Sequence, residues 1–152
     1  MPIKSNYRVV LADDHAMFRQ DLNRILMSGS DLDVVGEARD GTQLIEILSL
    51  IEPAADMAIV DITLRDIGGI KATATIKHFY PAIKVLIIST HREIQYVQEA
   101  LSSGADGYLL KEYLDAELFP AIEHIRQNGV YLSNLLNENA MTCFTQCKST
   151  IV

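Results

Sequence analysis

Val9-Val10-Leu11-Ala12-Asp13-Asp14 places two carboxylates directly after an apolar run that has the length of a buried β-strand. An apolar run that ends in, or is followed by, a polar residue recurs in Ala58-Ile59-Val60-Asp61, Val85-Leu86-Ile87-Ile88-Ser89 and Tyr108-Leu109-Leu110-Lys111. Short, continuous runs of Val, Ile and Leu are typical of strands that are buried on both faces of a parallel sheet. Because parallel strands end at the same edge of their sheet, these polar residues are predicted to share one site.

Strand-like and helix-like segments alternate from Tyr7 to about Gly129. The predicted strands are Tyr7–Ala12, Asp33–Ala38, Met57–Asp61, Lys84–Ser89 and Gly107–Leu110. With amphipathic helical segments between them, they predict an α/β fold: an open, doubly wound five-stranded parallel sheet with helices on both faces. Pro120 lies inside the last helical segment, where proline removes a backbone hydrogen bond. We therefore expect that helix either to begin after Leu114 or to kink at the proline.

The composition limits the classes of protein to which this chain can belong. Of the 152 residues, 49% are hydrophobic and 22% are charged, which is ordinary for a soluble globular domain. The net charge of -7 and the absence of clustered Lys and Arg argue against a nucleic-acid surface. Residues 1–6 are too short and polar for a signal peptide, and the apolar runs are far below the ~20 residues of a membrane span. Cys143 and Cys147 alone make a poor metal site, so we expect a reduced, cytoplasmic protein.

Three carboxylates are the main candidates for chemistry. Asp61 is the predicted nucleophile, because a carboxylate oxygen that attacks phosphorus forms an acyl phosphate. Together with Asp13 and Asp14 it makes a cluster whose members repel each other unless a positive charge lies among them. Mg²⁺, a hard dication with oxygen ligands, meets that need. The alternatives are that Asp61 caps the following loop and that Asp14 is the N-cap of a helix beginning near His15.

Lys111, Ser89 and Tyr108 supply the other functional groups of the predicted site. The Lys111 ammonium would balance the carboxylates before reaction and pair with a phosphoryl oxygen afterwards. The Ser89 hydroxyl can donate to the same phosphoryl group, although the spacing fits Thr90 equally well. From the pattern alone, Tyr108 is also consistent with an ordinary aromatic strand residue.

With these residues the chain resembles the receiver domain of bacterial two-component response regulators. The matching motifs are Asp13-Asp14-His15, Val60-Asp61-Ile62, Ile88-Ser89-Thr90 and Gly104-Ala105-Asp106-Gly107-Tyr108-Leu109-Leu110-Lys111. The resemblance extends from about residue 7 to residue 129. It implies a flavodoxin-like (βα)5 fold with the strand order 2-1-3-4-5.

The resemblance also implies a mechanism. A sensor histidine kinase or a small phosphodonor would transfer a phosphoryl group to Asp61, and the domain, although not an enzyme, would promote its own phosphorylation and dephosphorylation. The implied Mg²⁺ ligands are Asp13, Asp14, Asp61 and the backbone carbonyl of Thr63. Ser89 and Tyr108 would form a switch pair that remodels the face around the fourth helix and fifth strand through a population shift. Thr63 and His91 would tune the lifetime of the acyl phosphate.

The sequence Asn-Gly-Val-Tyr-Leu-Ser at residues 128–133 resembles the end of the receiver in NarL/LuxR-type (FixJ) transcription factors. In those proteins a helix-turn-helix domain follows, but nothing after Ser133 has the basic residues or pattern of a recognition helix. We expect an N-terminal leader (1–6), a receiver domain (7–129) and a linker-like tail (130–152), frayed or partly helical from residue 134, without a DNA-binding domain. The alternatives are a truncated part of a DNA-binding transcriptional regulator and a degenerate receiver that signals without phosphorylation.

One position near the predicted nucleophile departs from the family pattern. Family members usually carry proline four residues after the phosphoacceptor, and this chain has Arg65 there. Gly68 and Gly69 keep the following turn permissive, and without the proline we expect a more mobile loop. Arg65 would either reach a phosphoryl oxygen or pair with Asp66.

Two other protein classes fit less well. A haloacid-dehalogenase-like phosphatase needs a second Asp two residues after the nucleophile, and that position is Thr63. A flavin- or nucleotide-binding module needs a Gly-rich loop, which the chain lacks. We therefore predict a phosphorylation-controlled signalling domain whose output is a protein–protein contact. Self-association into a homodimer is a hypothesis, and we expect no direct nucleic-acid or membrane binding by this chain.

Overall fold

The computed structural model describes residues 6–29, 31–134 and 136, which form a parallel sheet with helices on both faces. The strands are β1 (Tyr7–Ala12), β2 (Leu32–Ala38), β3 (Met57–Asp61), β4 (Lys84–Ser89), β5 (Gly107–Leu110) and β6 (Tyr131–Leu132). The helices are α1 (Ala16–Met27), α2 (Gly41–Leu50), α3 (Gly68–Phe79), α4 (Ile94–Ser102) and α5 (Leu114–Arg126), with a 3₁₀ turn at Lys111–Tyr113 before α5.

The strands pair in the order β2-β1-β3-β4-β5-β6, and every pair is parallel. The predicted α/β, flavodoxin-like fold and its 2-1-3-4-5 order are therefore confirmed. The short strand β6, which pairs with β5, was not predicted and lies beyond the expected domain boundary at residue 129. Because the strand order reverses around β1, the carboxyl ends of β1 and β3 lie side by side at the switch point of the sheet.

Two apolar clusters, one on each face of the sheet, make the core. Successive strand residues point to opposite faces, so Val10 and Ala12 of β1 pack with the residues of α2, α3 and α4. Val9 and Leu11 pack on the other face, with α1 and α5. Strands buried on both faces explain the continuous apolar runs of the sequence, and they hold the strand ends in fixed positions.

Helix α5 is continuous from Leu114 to Arg126 and contains Pro120. The expectation of a later start is therefore wrong, while a kink at the proline stays a prediction. Leu118, Ala121 and Ile122 of α5 are buried against the sheet. Burial of this face outweighs the roughly 3 kcal/mol that an interior proline costs a helix.

The ends of the chain limit what can be compared with the predictions. Of the expected leader only residue 6 is described, and of the expected tail only residues 130–134 and 136. Cys143 and Cys147 lie outside the described residues, and the predicted domain boundaries stay predictions. Within the described part, no helix combines the length and apolar character needed to cross a bilayer.

Candidate functional site

Lys111 lies between two buried carboxylates at the carboxyl edge of the sheet. Its Nζ is 3.0 Å from Asp13 Oδ2 and 3.2 Å from Asp61 Oδ2. Asp13 follows β1, Asp61 ends β3 and Lys111 follows β5, so three strands bring these groups together. The ammonium also lies 4.3 Å from the ring centroid of Phe18 in α1, which restricts its position further. Of the predicted strand-end residues, Asp13, Asp61 and Lys111 thus form a single ionic site.

Asp61 is held by the first residues of the loop that follows it. The Thr63 amide and hydroxyl donate to Asp61 Oδ1 at 3.2 and 3.1 Å, while Oδ2 faces Lys111. Asp61 is almost fully buried, so these donors offset the cost of desolvating a charged carboxylate. The alternative role of Asp61 as a loop cap is therefore also met, because its side chain accepts from the loop backbone.

Asp13 and Asp14 diverge, and their partners differ. Asp13 Oδ1 accepts from the His15 amide at 2.8 Å. His15, not Asp14, occupies the N-cap position of α1, so the alternative that Asp14 caps this helix is wrong. Within the described part of the chain, Asp14 Oδ1 is buried and accepts no hydrogen bond, although His15 Nδ1 lies 3.1 Å away. One carboxylate oxygen therefore remains available for a ligand.

The acidic cluster has the dimensions of a cation site. One potential ligand atom from each of Asp13, Asp14, His15 and Asp61 lies within 4.8 Å of the others. Three of these four side chains offer carboxylate oxygens, the ligands that hard cations such as Mg²⁺ prefer. The under-coordinated oxygen of Asp14 fits the same conclusion, because a buried acceptor without a donor is costly unless a cation or water meets it.

Arg65 pairs with Asp14 and not with Asp66, while contact with a phosphoryl oxygen stays a prediction. Its Nε donates to Asp14 Oδ2 at 3.0 Å. Asp66, the predicted partner, instead accepts from the Thr42 hydroxyl at the start of α2. The Gly41 amide donates to the Arg65 carbonyl at 3.2 Å. The Arg65 carbonyl and the Asp66 side chain thus both contact the start of α2, and the more mobile loop expected in the absence of proline stays a prediction.

Ser89 and Tyr108, the predicted switch pair, both contact His91. The Ser89 hydroxyl accepts from the His91 amide at 2.9 Å, and the Tyr108 hydroxyl donates to the His91 carbonyl at 2.7 Å. Ser89 is buried and Thr90 is exposed, so of the two hydroxyls that the spacing allowed, only Ser89 lies in the interior. The His91 ring stacks on Tyr96 of α4, with a centroid distance of 4.0 Å.

The Tyr108 side chain is fully buried. Burial raises the pKa of its phenol to about 12, so the hydroxyl stays protonated and available as a donor. Its hydroxyl links the β4–α4 loop to β5 through the His91 carbonyl. A conformational change in this loop would therefore reach Tyr108 through the His91 carbonyl.

A second polar cluster, around Glu117 of α5, was missed in the sequence. Glu117 is buried and accepts from the Tyr131 hydroxyl at 2.6 Å, the Ser133 hydroxyl at 3.2 Å and the Asn134 amide at 3.0 Å. Ser133 also accepts from the Leu110 amide at 2.9 Å, next to Lys111. A signal was present, because Glu117 interrupts the apolar face of α5 three residues after Leu114.

Comparisons with known proteins show which family this chain is similar to. Residues 9–123 match the family described as response regulator receiver domain. The chain is 34% identical over 137 residues to the transcriptional regulatory protein DegU of Brevibacillus brevis and 36% identical over 128 residues to the response regulator protein VraR of Staphylococcus saprophyticus. These alignments cover 90% and 84% of this chain, but only 57% and 58% of the relatives. The chain thus spans little more than half the length of the two proteins.

Solved structures show the same relationship. The signal receiver domain of the response regulator NarL from Mycobacterium tuberculosis is 33% identical, with a TM-score of 0.76, over 82% of this chain and 98% of that one. A two-component response regulator of the LuxR family from Aurantimonas is 28% identical, with a TM-score of 0.80, over 95% and 99% of the two chains. Fold and sequence are therefore similar to theirs over most of the chain.

Proposed function

This chain belongs to the response regulator receiver domain family, and we propose that its Asp61 accepts a phosphoryl group from a sensor histidine kinase or a small phosphodonor. The observation that carries the proposal is the Lys111 ammonium, which lies 3.0 Å from Asp13 and 3.2 Å from Asp61. A cation in contact with the nucleophile can stabilise the negative charge that a phosphoryl group brings into the site.

The transfer is a displacement at phosphorus. An Asp61 oxygen attacks the phosphorus atom of a phosphohistidine, so that an O–P bond forms while the N–P bond breaks and the imidazole leaves with its electron pair. The Thr63 donors orient the Asp61 carboxylate before attack. Lys111 then pairs with a phosphoryl oxygen in place of the carboxylate oxygen that it contacts in the unmodified protein.

The acidic cluster would hold Mg²⁺ during this reaction. The proposed ligands are Asp13, Asp14, Asp61 and, by resemblance, the backbone carbonyl of Thr63. The bound ion would supply positive charge that offsets the carboxylates and the incoming phosphoryl oxygens. Support comes from the spacing of the carboxylates and from the buried Oδ1 of Asp14, which accepts no hydrogen bond from the described residues.

The output would be a change in the surface near α4 and β5. In the unmodified protein the Ser89 hydroxyl accepts from the His91 amide; on phosphorylation it would donate to a phosphoryl oxygen, and the contact between Tyr108 and the His91 carbonyl would transmit the change. This is a shift between existing conformations, favoured by the new contact. We further propose that Thr63 and His91 tune the lifetime of the acyl phosphate and that the remodelled face binds a protein partner, including a second copy of this chain.

Intact mass after incubation with acetyl phosphate and Mg²⁺ tests the phosphoacceptor directly. We expect one added phosphoryl group in the unaltered protein and none in Asp61→Asn or without Mg²⁺. Asp56→Asn is a matched control. Asp56 lies directly before the first residue of β3, at the end of the strand away from Asp61, and accepts from the Arg8 amide. It should still form the adduct. An adduct that persists in Asp61→Asn would show that another residue is the acceptor.

One observation favours a second function, that of a receiver that signals without phosphorylation. Tyr108 already occupies a fully buried position with its hydroxyl on the His91 carbonyl. A switch that rests in its inward position does not need a phosphoryl group to reach it. Absence of any mass adduct within seconds of mixing, combined with a monomer–dimer equilibrium unchanged by beryllofluoride in sedimentation, would favour this function over the phosphoacceptor.

A further inference from the structure

The Arg65 guanidinium occupies one oxygen of the Asp14 carboxylate that the metal site requires. The side chain of Arg65 is 81% exposed, whereas that of Asp14 is only 11% exposed. We propose that Arg65 weakens binding of divalent cations by competing for Asp14, and so sets the Mg²⁺ concentration at which the site fills. The inference rests on the proposed function only through the metal site.

The position of Arg65 follows from its backbone. The Leu64 amide donates to the Asp61 carbonyl at 3.2 Å, and the Leu64 side chain is buried. On the other side, the Gly41 amide donates to the Arg65 carbonyl, and Asp66 contacts Thr42. The loop is therefore held both before and after Arg65. The Arg65 side chain therefore reaches Asp14 from a backbone that these contacts already hold in place.

The two cations at the site have different roles. Lys111 is 14% exposed and contacts Asp13 and Asp61, which are themselves buried. It forms part of the interior of the site and has little room to leave. Arg65 pairs with Asp14, the most exposed of the three aspartates, and most of its side chain is in solvent. Arg65 is thus the cation that an incoming metal ion can displace.

Competition is expected whichever Asp14 oxygen the metal ion takes. If the ion binds Oδ2, the guanidinium must leave it. If the ion binds Oδ1, which accepts no hydrogen bond from the described residues, the guanidinium remains on the same carboxylate and repels the ion. An exposed ion pair is weak, so its removal should tighten metal binding by only roughly two- to fivefold.

Calorimetric titration with Mg²⁺, repeated with Mn²⁺, measures the affinity without reference to phosphorylation. Arg65→Gln removes the positive charge at similar length, and Arg65→Lys retains the charge without the planar guanidinium. Arg24→Gln is the matched control, because Arg24 also forms an exposed ion pair, with Asp21 at 2.9 Å in α1. It removes the same net charge from a position outside the acidic cluster.

We expect Arg65→Gln to tighten binding of both ions roughly two- to fivefold, Arg65→Lys to stay close to the unaltered protein, and Arg24→Gln to change nothing. Equal affinities for Arg65→Gln and the unaltered protein would overturn the inference and leave the proposed function intact. Equal gains in Arg65→Gln and Arg24→Gln would also overturn it, since general charge would then be the cause. If neither the unaltered protein nor Arg65→Gln binds metal, both the proposed function and this inference fail.

Discussion

Replacement of Gly69 by alanine should disturb the backbone that carries the phosphoacceptor. Gly69 lies in the first turn of α3, and its amide donates to the Ile62 carbonyl at 3.1 Å. A Cβ atom at this position would overlap the Asp61 carbonyl oxygen and lie 2.7 Å from the Ile62 Cα. Both obstacles are backbone atoms, so rotation of a side chain cannot relieve the overlap, and β3 or α3 must move.

The size of the effect follows from two opposing contributions. Overpacking costs roughly 1–3 kcal/mol, and a backbone obstacle favours the upper half of that range. Alanine is about 1 kcal/mol better than glycine within a helix, which offsets part of the cost. The free energy of unfolding should therefore fall by about 1–2 kcal/mol. With a urea m-value of about 2 kcal/mol/M, the midpoint should fall by roughly 0.5–1 M.

Gly68→Ala is the control that separates the steric overlap at Gly69 from a general sensitivity of this turn to substitution. Gly68 has φ +78°, and a Cβ atom there would contact nothing within 4 Å. Its replacement should cost about 1–2 kcal/mol through backbone strain alone. Urea unfolding followed by circular dichroism should show similar losses of stability in the two variants, so the rate of Asp61 phosphorylation is the measurement that distinguishes them. Gly68→Ala should keep the phosphorylation rate and Gly69→Ala should lower it. A Gly69→Ala protein as stable and as readily phosphorylated as the unaltered one would refute the reasoning.

Three further predictions concern other groups. Glu117→Ala leaves three donors without their acceptor and should lower the free energy of unfolding, measured in urea, by about 2–4 kcal/mol. The control Glu123→Ala, at an exposed position of the same helix, should change it by under about 0.5 kcal/mol. Equal effects of the two substitutions would contradict a stabilising role of the Glu117 hydrogen bonds. The Tyr108 pKa of about 12 lies above its usual value, so folding favours the neutral phenol. Up to about 3 kcal/mol of stability should therefore be lost as pH rises from about 10 to 12, and Tyr108→Phe should reduce that loss in unfolding measured across this range. Mg²⁺ at ten times its Kd should raise the melting temperature by about 3–6 °C, and Asp14→Asn should abolish most of that shift.

The strand ends of the site were predictable because their signal is local. Asp13, Asp61 and Lys111 each end or follow a short apolar run, and parallel strands end at one edge whatever the details of packing. Ser89 could not be separated from Thr90 in this way. Ser89 is the last residue of β4, whereas Thr90 lies beyond the strand and is exposed. The buried hydroxyl therefore depends on the residue at which the strand ends, and the apolar pattern does not fix that residue to within one position.

Contacts between distant segments were the ones that the sequence did not reveal. Arg65 and Asp14 are 51 residues apart, and their pairing depends on how α2 holds the β3–α3 loop. Strand β6 has only two residues and forms beside β5, where Glu117 provides acceptors for the residues around it. Helix α5 tolerates Pro120 because its buried face is stable enough. In each case the tertiary environment, not local preference, determines the outcome.

The hydrogen bonds between β6 and β5 should resist a pulling force that is applied to the chain after β6 along the strand direction. The Ser133 amide donates to the Tyr108 carbonyl at 3.0 Å, and the Leu110 amide donates to the Ser133 hydroxyl. Since β6 runs parallel to β5, a pull on the chain after Asn134 along the strand direction loads these hydrogen bonds in shear, all at once, instead of peeling them one by one. Mechanical load from that side therefore reaches the strand of Tyr108, and the adjoining Lys111, before it reaches the rest of the sheet.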